Sequence, residues 1–434
     1  MTKIKTISKL IGAGILCFSF LAISGSDINE KMISRVLKEL SSNEMNGRMI
    51  FTPDIEKAAA FIQKEFKKSG LKNFQGNKDY KQSFKIFSLT TKSLHVQLNG
   101  KDVEADNIMH IVSNRKIAWK SGDRTEVIHV GADDGFRKIV LGLRSKGASG
   151  IVVVDTAHTR IFKAFQRYFS SPRKMSKLGE GPDIVVVLGV QKDVTDYDVR
   201  LENDVVELPL ANVVGQVEGR RKDEVVIFSA HYDHVGVREA VEGDSIYNGA
   251  NDNASGTTAV IALANYFAKK KPERTLVFVA FTAEESGGFG SKYFSQQLDP
   301  AKIMAMFNIE MIGRPLSAGR KAAFITGYEK SSFGEILTNA VDSTYFEFIP
   351  DPTPAENLFY RSDNATLARL GVPAHSLSTT NMETDQKYYH KPQDEFETID
   401  ISHMTRTIEA IARSASGIIA GEVTPTRVNV TTLK

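Results

Sequence analysis

The sequence has almost no cysteine. Its 434 residues contain one, Cys17, which lies in an N-terminal apolar stretch. The preceding Leu16 is not the small residue that a lipoprotein signal needs, so we do not expect a lipid on Cys17. Removing residues 1–24 would remove this cysteine and exclude disulfides from the mature chain, although exported proteins enter compartments that permit them. Core packing or bound metal must then stabilise the fold.

A membrane-length apolar run and an excess of one charge are also missing. The apolar stretch at residues 11–23 follows three lysines, ends in small residues and is too short to span a bilayer comfortably. We therefore predict a secretory signal peptide over residues 1–24, rather than a stable membrane anchor, and an exported protein, periplasmic or secreted. The formal net charge of +3 falls to zero without those lysines. This balance gives no indication of a nucleic-acid partner.

What the sequence does contain is a regular alternation of strands and helices. Hydrophobic content of 41% and charged content of 25% are typical of a globular protein with a core. From residue 211 onward, short apolar runs such as "EVVIFSA" alternate with helical segments, which predicts an α/β fold with a mixed, mostly parallel sheet and helices on both faces. We predict one discontinuous domain over residues 25–90 and 211–422, a small α/β insert over 91–210, and a tail over 423–434.

Acidic and imidazole side chains collect where the predicted strands end. Ligand sites in α/β sheets lie outside the carboxyl ends of the strands, and imidazole with carboxylate suits zinc. Each motif alone also fits a polar loop, a solvated acidic turn or a helix N-cap, but their joint occurrence favours a metal site. The residues concerned are His231, Asp233, Asp252, Glu284, Glu285, Glu310 and His390.

The spacing of these residues indicates separate roles. One zinc ion needs about three protein ligands, so five ligands can hold two ions if one carboxylate bridges them. Asp252 suits the bridge because its side chain is short and its neighbours are small. Asp233, two residues after His231, can accept a hydrogen bond from the free imidazole nitrogen. Glu284 and Glu285 are adjacent, which predicts one ligand and one general base.

Five motifs together resemble a known enzyme family. "AHYDHVG", "GANDNASG", "FTAEESG", "NIEMIGR" and "YYHKPQDEFETID" are similar to motifs of the di-zinc exopeptidases related to bacterial leucyl aminopeptidases, glutamate carboxypeptidase and the transferrin receptor. The resemblance runs from about residue 27 to 420 and implies the zinc exopeptidase fold. The insert, with "RSKGASGIVVVD", resembles the protease-associated domain that many members carry.

The resemblance also implies a role for each motif residue. His231 and Glu310 would bind one zinc ion, Glu285 and His390 the other, and Asp252 would bridge both. Asp233 would orient His231, Glu284 would be the general base, and Tyr388 or Tyr389 would steady the oxyanion. Many members have aspartate where Glu310 stands, and the family tends to have a cis peptide bond at the position of Asp252–Asn253. The stretch "RSDN" also matches the family, without an assigned role.

The predicted function is that of an exported zinc-dependent exopeptidase acting on peptides. A hydroxide held between two zinc ions would attack the scissile carbonyl, and Glu284 would pass the proton to the leaving amine. An aminopeptidase is the leading prediction, and Arg314 and Arg361 keep a carboxypeptidase as an alternative. A glutaminyl cyclase, with one zinc on a similar fold, and a non-catalytic receptor-like binding protein are also possible functions.

Overall fold

The computed structural model describes residues 28–189 and 193–433, so the predicted signal peptide lies outside the described chain. In these two ranges no helix combines the length and hydropathy that crossing a membrane requires. The helices are α1 (Glu30–Leu40), α2 (Pro53–Ser69), α3 (Phe136–Lys146), α4 (Thr159–Phe169), α5 (Gly256–Ala268), α6 (Phe289–Ser295), α7 (Phe333–Ala340), α8 (Asn364–Ala368), α9 (Met382–Asp385), α10 (Ile401–Ser414) and α11 (Ser416–Ile419).

The strands form one large sheet, one small sheet and a hairpin. They are β1 (Lys72–Asn73), β2 (Lys81–Leu98), β3 (Lys101–Asp102), β4 (Ile108–Ile111), β5 (Lys116–Lys120), β6 (Glu126–Val130), β7 (Gly150–Val154), β8 (Arg173–Met175), β9 (Ile184–Leu188), β10 (Tyr197–Val217), β11 (Arg221–His231), β12 (Gly236–Val241), β13 (Asp244–Tyr247), β14 (Arg274–Phe281), β15 (Ile303–Ile309), β16 (Ala322–Ile325), β17 (Glu347–Pro350) and β18 (Ala374–Ser378).

The large sheet confirms the predicted mixed α/β fold. Its strand order is β17-β16-β18-β15-β11-β14-β10-β2-β3. The four central strands β18, β15, β11 and β14 are parallel. β16 joins one side of this centre and β10 the other, both antiparallel. Parallel pairing is therefore concentrated in the centre, and the carboxyl ends of the parallel strands meet at one edge of the sheet.

The central strands contain continuous apolar runs because helices cover both faces of the sheet. Phe228 of β11 and Phe278 of β14 face the core formed with α1, α2, α5 and α10. Their neighbours Ile227 and Val277 face a second core on the opposite side. The alternation of strand side chains thus fills two cores, as expected for a sheet buried on both faces.

A separate four-stranded sheet lies within the range predicted for the insert. Its order is β4-β9-β7-β6, with α3 and α4 packed against one face. The long strands β2 and β10 pair with each other and continue across residues 90 and 210, the predicted domain boundaries. The insert assignment itself stays a prediction. In the predicted tail, Val428 is buried and Arg427 donates a 2.7 Å hydrogen bond to the carbonyl oxygen of Ile303.

Candidate metal centre

Three neighbouring strands bring most of the predicted site residues to one edge of the sheet. His231 is the last residue of β11, and Glu310 directly follows β15. Glu284 and Glu285 come just after β14. His390 differs, because it lies in a turn that follows α9 and not at the end of a strand. The expectation of a strand end at His390 was therefore wrong, although its side chain reaches the same site.

Asp252 lies between two groups of side chains and presents one carboxylate oxygen to each. Its Oδ1 atom is 3.4 Å from His231 Nε2, which is in turn 3.0 Å from Glu310 Oε1. Its Oδ2 atom is 3.2 Å from His390 Nε2, which is 3.1 Å from Glu285 Oε1. This is the arrangement that a bridging carboxylate requires.

His234 belongs to the second group, and sequence reasoning did not assign it. Its Nδ1 atom lies 3.1 Å from Glu285 Oε1 and 4.0 Å from Asp252 Oδ2. Its ring meets the His390 ring edge-on, with centroids 5.5 Å apart. His234 is three residues after His231 in the motif "HYDH", so the signal was present in the sequence. The direction of its side chain depends on the turn after β11, which the motif does not fix.

The donor atoms of both groups suit a zinc ion. Ligands of a tetrahedral zinc ion, with bonds of about 2.1 Å, lie about 3.4 Å from one another. The distances within the first group, His231, Asp252 and Glu310, are close to this value. In each group, one ligand atom per residue lies within 4.8 Å of all the others. The second group comprises His234, Asp252, Glu285 and His390.

Glu310 reaches the site despite being a methylene longer than the aspartate of many relatives. Its Oε1 atom contacts His231, and its Oε2 atom accepts a 2.8 Å hydrogen bond from the Ser362 hydroxyl. Ser362 belongs to the "RSDN" stretch, which had no assigned role. The Ser362 hydroxyl thus holds the Glu310 side chain so that its Oε1 atom faces the site.

Asp233 contacts a different atom from the one predicted. The hydrogen bond to His231 Nδ1, 3.1 Å long, is accepted by the backbone carbonyl oxygen of Asp233. Its carboxylate lies further away, at 3.7 Å, and accepts hydrogen bonds from the backbone N–H groups of Glu284 and Glu285. Asp233 therefore orients both His231 and the loop that carries the two glutamates.

Burial and charge give the two adjacent glutamates different properties. Burial raises the pKa of Glu284 well above its usual value, and the charges of Asp363, Glu310 and Glu285 add to this effect. Burial also acts to raise the pKa of Glu285, but hydrogen bonds from His234 and His390 outweigh it and lower that pKa to about 2. Glu285 is thus charged, as a metal-binding carboxylate must be, and Glu284 can hold a proton.

The carboxylates keep the neighbouring imidazoles charged in the metal-free chain. Burial lowers the pKa of His390, but Asp252 and Glu285 more than offset this and raise it to about 10. Glu310 and Asp252 likewise raise the pKa of His231 well above its usual value. A metal ion would have to displace these protons, since only neutral imidazole binds metal.

A cleft of about 630 Å³ opens over the two groups. Tyr389 lines it and stacks on the His390 ring with 4.1 Å between centroids. Tyr388, in contrast, packs over the guanidinium of Arg314, 4.1 Å from its ring centroid. Of the two predicted tyrosines, Tyr389 is the one in the cleft lining. Apolar side chains also line the cleft: Met311, Phe324, Leu358 and Met382.

The two arginines considered for binding a substrate carboxylate have different surroundings. Arg314 is buried and paired with Asp385 at 3.2 Å and Asp394 at 3.0 Å. Asp394 also accepts hydrogen bonds from the backbone N–H groups of Asn251 and Asp252. Arg314 thus supports the loop that carries Asp252. Arg361 lines the cleft and is about half exposed.

The backbone is unusual where it carries these side chains. Ala283, Met311 and His390 have φ angles of 60°, 54° and 51°, a region that non-glycine residues rarely adopt. Such residues cluster at functional sites. The Asp252–Asn253 peptide bond is cis, as the resemblance implied.

Comparison with known proteins identifies the domain that holds this centre. The sequence profile of peptidase family M28 matches residues 212–415. These residues are called the M28 domain below, after the family that they match. Each predicted site residue from His231 to His390 lies in this M28 domain, whereas α1 and α2 precede it.

Curated relatives match the M28 domain and some flanking chain. The chain is 23% identical over 231 residues to the aminopeptidase YwaD of Bacillus subtilis, covering 49% of this chain and 46% of that protein. It is 27% identical over 249 residues to an aminopeptidase of Pseudomonas aeruginosa, covering 54% and 43%. A probable zinc metalloprotease of Leptosphaeria maculans is 34% identical over 107 residues, covering 24% and 25%. The matches thus span less than half of each relative's length.

Solved structures share the fold beyond the M28 domain. An aminopeptidase from Aneurinibacillus sp. strain AM-1 superposes with a TM-score of 0.53 at 17% identity, covering 94% of this chain and 97% of the other. A zinc aminopeptidase from Bacillus subtilis gives a TM-score of 0.53 at 16% identity, covering 91% and 97%. At these identities the likeness concerns the fold.

Proposed function

We propose that the protein is a zinc-dependent aminopeptidase that binds two zinc ions per chain. One observation carries this proposal: the two oxygens of Asp252 face two separate groups of zinc-type ligands, and Glu284 lines the same cleft. The names of the relatives, which include aminopeptidases and zinc metalloproteases, support it.

The two ligand groups would hold the zinc ions, and Glu284 would transfer the proton. When bound, zinc activates a water molecule and polarises the scissile carbonyl. Glu284 would accept the proton of the attacking water at its carboxylate and deliver it to the nitrogen of the leaving amine. Burial and negative neighbours raise the pKa of Glu284, which makes its carboxylate a stronger base and so suits it to accept a proton and pass it on.

Asp233 and Tyr389 would position and stabilise the reacting groups. Asp233 holds the backbone of Glu284 and Glu285 through its carboxylate and His231 through its carbonyl. Burial raises the pKa of the Tyr389 hydroxyl, so the hydroxyl keeps its proton and can donate a hydrogen bond to a developing oxyanion.

The charges around the cleft favour an amino group over a carboxylate as the recognised end of the peptide. Arg314, one of the two arginines that would suit a carboxypeptidase, is committed to Asp385 and Asp394. Arg361 lines the cleft but pairs with Glu356 at 3.4 Å. Because both arginines have carboxylate partners within the chain, a substrate amino group is the better fit.

The ligand set also favours the proposed peptidase over a glutaminyl cyclase and over a receptor-like protein. A glutaminyl cyclase would use one zinc ion, whereas Asp252 offers an oxygen to each of two groups. A receptor-like binding protein has no need of ligands, yet each predicted metal ligand has a coordinating side chain directed at the site. Export through the signal peptide over residues 1–24 remains part of the proposal.

The test compares matched substrates on the purified, zinc-loaded protein. We expect a panel of aminoacyl-nitroanilides with a free amino group to be hydrolysed and their N-acetylated counterparts to remain intact. N-blocked peptides with a free carboxyl end serve as the second arm. Hydrolysis of those peptides alone would replace the aminopeptidase with a carboxypeptidase, and cyclisation of N-terminal glutamine without hydrolysis would favour the cyclase.

A further inference from the structure

Arg48 is a fully buried arginine outside the M28 domain. It lies between α1 and α2, with none of its surface exposed. Burial lowers the pKa of its guanidinium to about 10, so the group is still charged at neutral pH. A buried charge is costly unless its donors are satisfied. The groups that accept hydrogen bonds from the Arg48 guanidinium therefore indicate what this buried charge supports.

The guanidinium donates to backbone carbonyls of two loops that carry metal-type ligands. Nε donates to Tyr232 O at 2.9 Å, between His231 and Asp233. Nη1 donates to Asn248 O at 2.6 Å and Nη2 to Gly249 O at 3.0 Å, just before Asp252. In return, the backbone N–H of His234 donates to the Arg48 carbonyl at 3.3 Å.

The remaining contact ties this arrangement to the N-terminal helix. Nη1 also donates to Leu40 O, the last residue of α1, at 2.5 Å. Among the described residues, the acceptors of Arg48 are all carbonyl oxygens. Its charge is therefore not neutralised by direct pairing and remains available to the nearby carboxylates of Asp252, Asp233 and Glu285. The planar, forked guanidinium reaches both loops at once, which a lysine with its single nitrogen cannot do.

We propose that Arg48 is a positioning residue of the metal centre, holding the loop of His231 and His234 in register with the loop of Asp252. The proposal rests on the proposed zinc-dependent function. It assigns the segment before the M28 domain a part in metal binding: α1 and Arg48 complete a site whose ligands come from elsewhere in the chain.

The experiment compares zinc affinity in two buried-arginine variants. Arg48→Met removes the contacts to both ligand loops. Arg274→Met is the matched control, because Arg274 is also buried and donates to the carbonyls of Ile418 and Val423, at the start of β14 and away from the site. Zinc affinity is measured by competition with a chromogenic chelator, and the stability of the metal-free proteins by urea unfolding.

We expect both variants to lose stability but only Arg48→Met to bind zinc more weakly, by about ten- to a hundredfold. Equal zinc affinity in Arg48→Met and Arg274→Met would overturn the proposal. If Arg48→Met does not fold, Arg48→Lys takes its place in the test, because lysine keeps the charge but lacks the forked guanidinium. Unchanged zinc affinity in a folded Arg48→Lys would also overturn the proposal. A wild-type protein that binds no zinc would instead contradict the proposed function.

Discussion

Glu284 and Glu285 are adjacent in the chain, yet their surroundings assign them different chemistry. Glu285 contacts His234 and His390, whereas Glu284 lies in the cleft with negative neighbours. We predict that Glu284→Gln keeps its zinc and loses about 100-fold or more in kcat, because the amide cannot carry the proton. Zinc content and turnover are measured on the same sample. Turnover close to wild type would contradict the role of Glu284.

His234 tests whether the second group has four ligands. We expect His234→Ala to bind its second zinc ion more weakly than the wild type, because Glu285, Asp252 and His390 would have to hold that ion without a fourth ligand. The measurement is metal content after equilibrium dialysis. His231→Ala, which alters the other group, is the comparison. Two ions bound with wild-type affinity in His234→Ala would remove His234 from the ligand set.

His375 offers a prediction about pH and stability away from the ligands. This buried imidazole donates from Nδ1 to the Thr326 carbonyl and accepts from the Ser331 hydroxyl at Nε2, in the tautomer that fits both contacts. Burial lowers its pKa to about 4. Between pH 6.5 and 4 the unfolded chain binds a proton that the folded chain does not, so stability is lost as the pH falls through this window.

The expected size of this loss is about 3 kcal/mol, from about 2.5 pH units at about 1.36 kcal/mol each. His375→Gln removes the titrating group. The difference in unfolding free energy between the metal-free wild type and this variant should therefore shift by that amount, in favour of the variant, between pH 7 and pH 4. Urea unfolding at both pH values measures it. A difference that does not change with pH would contradict a buried, neutral His375.

At the residue scale, the motifs indicate which residues gather better than which of their atoms meet. Asp252 was predicted as the bridge from its short side chain and small neighbours, and one of its oxygens faces each group. The atom of Asp233 that contacts His231 depends on the turn after β11. Whether Tyr388 or Tyr389 faces the cleft depends on which ring stacks on His390. Residue spacing alone specifies neither contact.

At the scale of elements, the loop between β13 and α5 has to approach other segments closely. A Cβ atom on Gly249 would lie 2.2 Å from the carbonyl oxygen of Asp252 and 2.5 Å from the His234 ring, and its φ is 57°. Gly243, in the β12–β13 turn, has a φ of 91° and no neighbour within 4 Å of such an atom. Both glycines have a φ that would strain any other residue, but only at Gly249 would an added Cβ atom meet close neighbours.

This pair separates strain from displacement of the site. We expect Gly243→Ala to cost about 1–2 kcal/mol of stability and to leave zinc binding unchanged. Gly249→Ala should cost more stability and weaken the binding of both zinc ions, because the methyl group would displace Asp252 and His234 together. Urea unfolding and zinc titration measure the two effects. Equal zinc binding in the two variants would show that the close approach at Gly249 is not needed.

The strand ends were predictable because the apolar runs before them are long and continuous. β11, β14 and β15 each end at or just before the side chains that the sequence singled out. His390 was misplaced in this respect, because tyrosines before it suggested a strand where the chain forms a turn after α9. Helix and strand assignments for short aromatic segments are ambiguous without their tertiary contacts.

At the scale of the whole molecule, the mixed sheet was predicted and its periphery was not. Strand–helix alternation gives the parallel centre directly. The antiparallel pairing of β10 with β14 and of β2 with β10 joins segments far apart in the chain, and no local pattern specifies it. The same holds for Arg48, whose partners in the two ligand-bearing loops lie about 200 residues away.

The central claim is that two metal ions share Asp252, and a metal count on two proteins tests it most directly. Zinc per chain is measured by elemental mass spectrometry after equilibrium dialysis, for the wild type and for Asp252→Asn, with folding of the variant checked by circular dichroism. We predict two zinc ions in the wild type and weakened binding of both in Asp252→Asn, because the shared ligand serves each site. A single zinc ion in the wild type, or two retained by a folded Asp252→Asn, would contradict the claim.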